Sequence, residues 1–252
     1  MRKIHVLTRK EDVEPERLAR CTAVVIDVLL ATSTIALALK HGVNEIIPVR
    51  GEAEARTVQA ELQNELCLLC GERDGLTING FLNPDPASLL INDLVGKPLI
   101  LSTTNGTVAL ENCRSARRLY ASSLVNGAAV ADCIRHEPDE ASVVIVCAGS
   151  DGRFALEDFL GAGCLVSHLL EAGGDAWHLS DAAIAAVKLY ESQAPRHIAD
   201  LLQQTETAHL LRSLGYTEAV MHAAQVNSVQ VVPFWLNGRL TDVNRTEHHT
   251  KI

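Results

Sequence analysis

Short, mostly apolar runs alternate along the chain with longer stretches whose apolar residues recur every three or four positions. Ile4–Leu7, Ala23–Ile26, Glu45–Val49, Leu66–Cys70, Pro98–Leu101, Arg118–Ala121 and Ser142–Val146 read as strands. Runs with no polar face suit a sheet covered on both sides. The helical period predicts helices over Thr32–Lys40 (stopped by Gly42), Glu52–Glu65, from Val108 onward, Asn126–Ile134, Phe154–Leu170, Asp181–Tyr190 and His197–Leu211. Gly71–Gly75 reads as a charged turn, and Gly80–Pro86 as a loop closed to helix or central strand by its prolines. Asp175–Ser180 leads into the Asp181 helix, and Gln230–Val232 is the expected last strand before Pro233. Residues 242–252, with His248 and His249, read as a solvated, flexible tail. This alternation implies a three-layer α/β/α fold around a largely parallel or mixed sheet. A chain of 252 residues is enough for one such domain, or for two closely packed lobes.

Three strand-to-helix junctions share one pattern. Val24–Ile26 runs into Asp27 and Thr32-Ser33-Thr34. Leu99–Leu101 runs into Ser102-Thr103-Thr104-Asn105-Gly106-Thr107. Val143–Val146 runs into Gly149-Ser150-Asp151-Gly152 and Arg153. In open α/β sheets ligands bind beyond the carboxyl ends of parallel strands, so adjacent ends of this kind would surround one cleft. Hydroxyls, a glycine and a helix start without acidic neighbours suit an anion; the same residues also serve as ordinary caps.

Composition narrows the partners. Acids outnumber Lys plus Arg by 31 to 22, leaving a net charge of −9 that disfavours nucleic acid and anionic membrane surfaces. No apolar run approaches the ~18 residues of a membrane helix. Seven cysteines, scattered within apolar stretches, suit reduced thiols and a cytoplasmic location. In Cys67-Leu-Leu-Cys70 the two thiols, three apart on a strand, face opposite sides and form no redox or zinc pair.

Asp27, at the end of an apolar strand, has no basic neighbour; it either caps the next helix or binds a divalent cation. Glu157 and Asp158 follow in the first turn of the third junction's helix, about 100° apart around its axis, so one of them faces a cleft. Glu72 and Arg73 offer an acid and a fork-shaped anion binder; Arg153 is a second guanidinium for an anion. Acids beside hydroxyl-lined helix starts suit Mg²⁺-assisted chemistry on a phosphate ester. The sequence carries no P-loop, no G-x-S-x-G elbow and no dinucleotide fingerprint after a strand. A D-x-D opening would need an acid at Leu29.

These ordered motifs, Asp27–Ile35, Gly71-Glu72-Arg73, Gly80-Phe81, Ser102–Thr107, Cys147-Ala148-Gly149 and Leu156-Glu157-Asp158, resemble the 2-phosphosulfolactate phosphatase family (ComB). The resemblance implies a Mg²⁺-dependent phosphatase that converts 2-phospho-3-sulfolactate to sulfolactate and phosphate, a step toward coenzyme M. Carried over by position, it implies a site built from Asp27, Thr32, Thr34, Glu72, Arg73, Thr103–Thr107, Glu157 and Asp158. The full expected set adds Ser33, Ser102 and Arg153 as substrate contacts, with Asp27, Glu157 and Asp158 as metal ligands. Two positions depart from the family pattern: Leu30 stands where an arginine is usual, and Leu82–Pro86 replaces a glycine-containing loop. Loss of one guanidinium beside the phosphate removes ~1.5–3 kcal/mol of charge-assisted binding. Alternatives are a phosphatase or phosphotransferase for another small phosphorylated hydroxy acid, or a non-catalytic anion-binding protein. The expected partner is a small phosphorylated sulfonate or carboxylate, and the expected assembly is a homo-oligomer.

Overall fold

A computed structural model describes residues 2–62, 66–138, 140–171 and 177–246. The strands are β1 (Arg2–Leu7), β2 (Thr22–Ile26), β3 (Ile46–Val49), β4 (Leu68–Arg73), β5 (Leu76–Thr77), β6 (Leu99–Ser102), β7 (Arg118–Ser122), β8 (Val143–Cys147), β9 (Trp177–Leu179), β10 (Pro233–Leu236) and β11 (Arg239–Asp242). They form one mixed sheet in the order β5-β4-β6-β3-β11-β10-β7-β2-β8-β1-β9. Two blocks are internally parallel: β4-β6-β3, and β7-β2-β8-β1-β9. Between them the hairpin β10–β11 makes three successive antiparallel pairings, so the two blocks run in opposite directions.

The apolar runs explain the layers. On β2, Val24 and Ile26 pack under the helices Gly127–Arg135, Leu156–Leu170 and Asp181–Glu191. Ala23 and Val25 face the other way, into a core shared with Ile46, Leu99 and Leu101 of the opposite block. That core holds the helices Ala31–Lys40 and Gly106–Asn112. The helix Gly106–Asn112 touches both β2 and β3, which are four pairings apart. A flat sheet would separate those strands by ~19 Å, about twice a helix diameter, so the sheet bends around the helix. This curvature brings the ends of opposed blocks toward each other.

Several expected elements differ. The His197–Leu211 helix is broken into Ile198–Leu202 and Glu206–Ser213. Thr205 makes the break: its hydroxyl donates to the Leu202 carbonyl and accepts from the Ala208 amide. Gln230–Val232 is not a strand; β10 begins at Pro233 and turns through Asn237 and Gly238, both at positive φ (52° and 81°), into β11. Asn-Gly in that conformation matches the twist of a tight hairpin. Gly71 to Arg73 extend β4, and the turn comes at Asp74-Gly75. The segment expected as a tail from residue 242 begins with a buried Asp242, which accepts from the Val232 and Asn244 amides, and a short helix, Val243–Thr246. Residues 247–252, the end of the expected Glu52–Glu65 helix and the start of the expected Asp175–Ser180 strand lie outside the described residues. All seven cysteines are free, and Cys67 and Cys70 pack into cores on opposite faces. Among the described residues no helix is long and apolar enough to cross a membrane.

Candidate active site

The end of β2 is stitched by one hydroxyl. The Asp27 amide donates to Thr32 Oγ1 (2.9 Å), which donates back to the Asp27 carbonyl (2.8 Å). The Ala31 amide, first in its helix, donates to Asp27 Oδ1 at 3.3 Å, so the aspartate caps that helix. Between them the Leu29–Leu30 peptide is cis. Ser33 Oγ donates to the Val28 carbonyl (2.8 Å), and Thr34 Oγ1 bonds the carbonyls of Pro84 (2.6 Å) and Leu30 (3.1 Å). Thr32, Ser33 and Thr34 are fully buried. Expected as substrate contacts, they instead fix the loop that presents Asp27.

The end of β6 repeats this device. The Thr103 amide donates to Thr107 Oγ1, and that hydroxyl donates to the Thr103 carbonyl (3.0 and 2.9 Å). Thr107 and Ser102 are buried away from the cleft, whereas Thr103, Thr104 and Asn105 line it. Gly106 lets the two junctions meet: a Cβ there would lie 2.3 Å from Ala31 Cβ and 2.5 Å from Asp27 Oδ2. Glu72, on the neighbouring β4, accepts from the Thr104 amide (2.6 Å), the Thr104 hydroxyl (3.0 Å) and the Gly75 amide (2.7 Å). Arg73, next along that strand, is exposed and outside the cleft lining. Period-two alternation takes its side chain to the other side from Glu72.

The end of β8 pairs with the end of β2 through Cys147 and Ile26. Asp158 joins the two loops, accepting from the Val28 amide (2.8 Å) and the Gly149 amide (3.0 Å). Glu157 is held by the hydroxyls of Thr207 and Thr205. Both oxygens of Asp158 are therefore engaged by main chain, and Glu157 turns to the Thr205 cap. The expected metal set Asp27–Glu157–Asp158 is not assembled as a cage. Among the described residues no group of three His, Cys, Asp or Glu side chains is arranged to hold a metal ion. Arg153 does line the cleft, two-thirds exposed, with its guanidinium near Asp151 (3.9 Å) and Glu206 (3.6 Å).

Lys10, absent from the expected site, closes the arrangement from behind. It is 7% exposed, and its Nζ donates to Asn105 Oδ1 (2.8 Å) and the Ala148 carbonyl (3.3 Å) while pairing with Glu11 (3.0 Å). One ammonium thus ties the β6 end to the β8 end. Nothing in the spacing of Arg9-Lys10-Glu11 distinguishes this lysine from a solvated one. Thr207, which holds Glu157, and Tyr216 were equally invisible, since both belong to the segment after residue 197, whose fold is set by the Thr205 break.

The resulting cleft encloses about 270 Å³. Burial pushes the Asp27 carboxyl up to about 7; the Ala31 amide opposes this, the Glu72 and Glu157 carboxylates add to it, and Lys10 opposes it. Burial also raises Asp158 well above the usual range, helped by Asp27 and Glu157. Glu157 is raised by burial against the pull of its threonine partners. Crowded, desolvated acids at strand ends are a common signature of a functional site.

A family model described as 2-phosphosulpholactate phosphatase matches residues 7–238, which include every residue of the cleft. The chain belongs to the 2-phosphosulpholactate phosphatase family. A relative from Clostridium perfringens (strain SM101 / Type A), named probable 2-phosphosulfolactate phosphatase, is 35% identical over 96% of both chains. One of the same name from Carboxydothermus hydrogenoformans is 40% identical over 87% of this chain and 89% of its own. Another, from Thermotoga maritima, is 37% identical over 86% of this chain and 90% of its own. Both departures noted from the family pattern reach the cleft, where Leu30, Asn83 and Pro84 form part of the wall.

Proposed function

We propose that this member of the 2-phosphosulpholactate phosphatase family hydrolyses the phosphomonoester of 2-phospho-3-sulfolactate, releasing sulfolactate and phosphate. The observation that carries the reading is the approach of Asp27 to Gly106, with only a glycine's width between two strand ends from opposed blocks. It brings a desolvated acid to the Thr103-Thr104-Asn105 turn in a cleft of small-molecule size. Asn105, its carbonyl oxygen fixed by Lys10, presents its amide group as an oriented donor to a phosphoryl oxygen. Arg153 meets the carboxylate or sulfonate at the open end.

The donor set fits a hydrated Mg²⁺ better than a protein cage. Mg²⁺ keeps several waters and commonly uses one or two carboxylates plus a substrate phosphate. Asp27 and Glu72 are the buried or half-buried carboxylates on the cleft wall, and Asp27 is destabilised as an anion by its surroundings. Bound at Asp27, the ion would neutralise phosphoryl charge and lower the pKa of a water, while Glu72, whose two oxygens both accept from main-chain amides, holds the Thr104 turn beside it. Asp158 acts on the loops, not on the ion: it holds Val28 and Gly149 so that Asp27 keeps its place. The proposal extends to a cytoplasmic homo-oligomer, supported in location by seven free thiols and tested in assembly by sedimentation.

Phosphate release from 2-phosphosulfolactate, with and without Mg²⁺ after chelator treatment, tests the reaction and the ion. Activity that survives complete chelation removes the metal role, and full activity in Asp27→Asn removes the central acid. Calorimetric titration of Mg²⁺ into the wild type and Asp27→Asn reads the site independently of turnover.

A further inference from the structure

Arg153 is the one cation among the described residues that line the cleft, and a tight turn carries it. The Ser150 amide donates to the Arg153 carbonyl (3.0 Å), and the Arg153 amide donates back to the Ser150 carbonyl (2.9 Å). Asp151 and Gly152 between them lie at positive φ (52° and 70°), as a two-residue hairpin turn of this hand requires. Gly149 precedes the turn at a φ of 69°, and a Cβ there would stand 2.6 Å from the Arg153 carbonyl oxygen. These bonds close the turn on itself. They fix its shape but not the direction in which it points.

Direction comes from outside the turn. The ion pairs of the Arg153 guanidinium with Asp151 and Glu206 are exposed and 3.9 and 3.6 Å long, so water screens them and they hold little. On the near side the Gly149 amide is anchored by Asp158 Oδ2 (3.0 Å). At the tip, Nη1 of Arg9 donates to the Gly152 carbonyl (3.2 Å) from 143 residues away. Arg9 is itself held: its Nε and Nη2 donate to the two carboxylate oxygens of Asp12 (3.2 and 2.7 Å). Such a fork fixes the plane of the guanidinium. Arg9 is outside the cleft lining. The next residue, Lys10, reaches Asn105 and the Ala148 carbonyl. Two consecutive residues after β1 thus hold different parts of the site: Lys10 the phosphoryl end, and Arg9 the turn that carries Arg153.

We propose that Arg9 is a positioning residue for substrate binding: by holding the Gly152 carbonyl it aims the Arg153 guanidinium at the substrate's carboxylate or sulfonate. This rests on the phosphomonoesterase reading given above, in which Arg153 meets that group. Because Arg9 acts through Arg153, its loss can weaken binding no more than the loss of Arg153 itself, and has no effect once Arg153 is gone. The two residues are therefore coupled in KM, and a double-mutant cycle measures that coupling.

The test combines Arg9→Met and Arg153→Met, singly and together, in the hydrolysis of 2-phosphosulfolactate. Arg153→Met should raise KM by about tenfold or more, the worth of one charge-assisted bond. Arg9→Met should raise KM about three- to tenfold with kcat within about twofold, and should add nothing in the Arg153→Met background. Product inhibition separates aim from general damage. In Arg9→Met the Ki for sulfolactate should rise in proportion to KM, while the Ki for inorganic phosphate, which lacks the group that Arg153 meets, stays within about twofold. These results together support the inference. A KM unchanged by Arg9→Met, an equal rise in both backgrounds, or a matching rise in the phosphate Ki overturns it and leaves Arg153 in its role. A KM unchanged by Arg153→Met removes both arginines from substrate binding and leaves the reaction standing. Absence of turnover by the wild-type protein overturns the phosphatase reading and the inference with it.

Discussion

Replacing Gly106 by alanine tests the geometry on which the site depends. The added methyl carbon would stand 2.3 Å from Ala31 Cβ and 2.5 Å from Asp27 Oδ2. Carbon atoms rest about 3.5–4.0 Å apart, so one junction must retreat by roughly 1 Å. Neither partner is the loose end of a flexible side chain: Ala31 is helix backbone plus one carbon, and Asp27 is held by Ala31 and Thr32. Overpacking of this kind costs about 1–3 kcal/mol of stability. A displacement of about 1 Å between reacting groups costs on the order of 100-fold in rate. Gly106→Ala should therefore lower kcat by about two orders of magnitude while the protein, read by urea denaturation, stays folded. The phosphate-release assay measures the first quantity. Wild-type kcat together with unchanged stability would mean that the ends of β2 and β6 do not meet, and the composite site would be wrong.

Three further outcomes follow from named contacts. Lys10→Met leaves the Asn105 and Ala148 carbonyl oxygens without their ammonium; it should cost about 2–4 kcal/mol and more than about tenfold in kcat, and a steady-state assay finding wild-type kcat refutes the positioning role. Asp27 is raised from 3.8 to about 7 in the fold. Its contribution to stability is therefore complete below about pH 4 and is lost as pH rises toward 7, at up to about 1.4 kcal/mol per pH unit. Urea midpoints at pH 5 and pH 8 should converge in Asp27→Asn, and an unchanged gap rejects the assignment. At the far end of the strands, Glu137 accepts from Thr22 and Tyr120 (3.0 Å each) and pairs with Arg118 (3.5 Å) and Arg2 (3.9 Å). Glu137→Ala should cost about 3–5 kcal/mol with kcat within about twofold; a loss below about 1 kcal/mol in denaturation would show the network to be idle.

The strands that hold the site were legible because each is a local, nearly unbroken apolar run. The Val24–Ile26, Leu99–Leu101 and Val143–Val146 runs all form parallel strands buried on both faces, followed by polar junctions. Asn237-Gly238 between Phe234-Trp235-Leu236 and Arg239-Leu240 is also a hairpin signal in the sequence, and Pro233 opens the strand because its missing amide is tolerated at a first residue. The threonines were harder. A hydroxyl at a helix start can face a ligand or its own main chain with the same local sequence. Only the packing around Thr32, Ser33, Thr34 and Thr107 shows that theirs face inward.

The sequence by itself determined the α/β class, the three junctions, the acid at the end of β2 and the family. Those depend on periodicity and on a series of contiguous motifs, each motif set within a dozen residues. Tertiary structure alone decided that a central hairpin turns one parallel block against the other, and that the sheet bends until Gly106 rests on Asp27. It also decided that Lys10 serves Asn105 from 95 residues away, that Asp158 holds the Val28 amide from 130 residues away, and that Arg73 faces outward while Leu30 faces the cleft. The physical reason is the range of the forces involved. Strand and helix periods are written in neighbouring residues, whereas burial, desolvation and pairing of charge depend on which distant segments the curved sheet brings together.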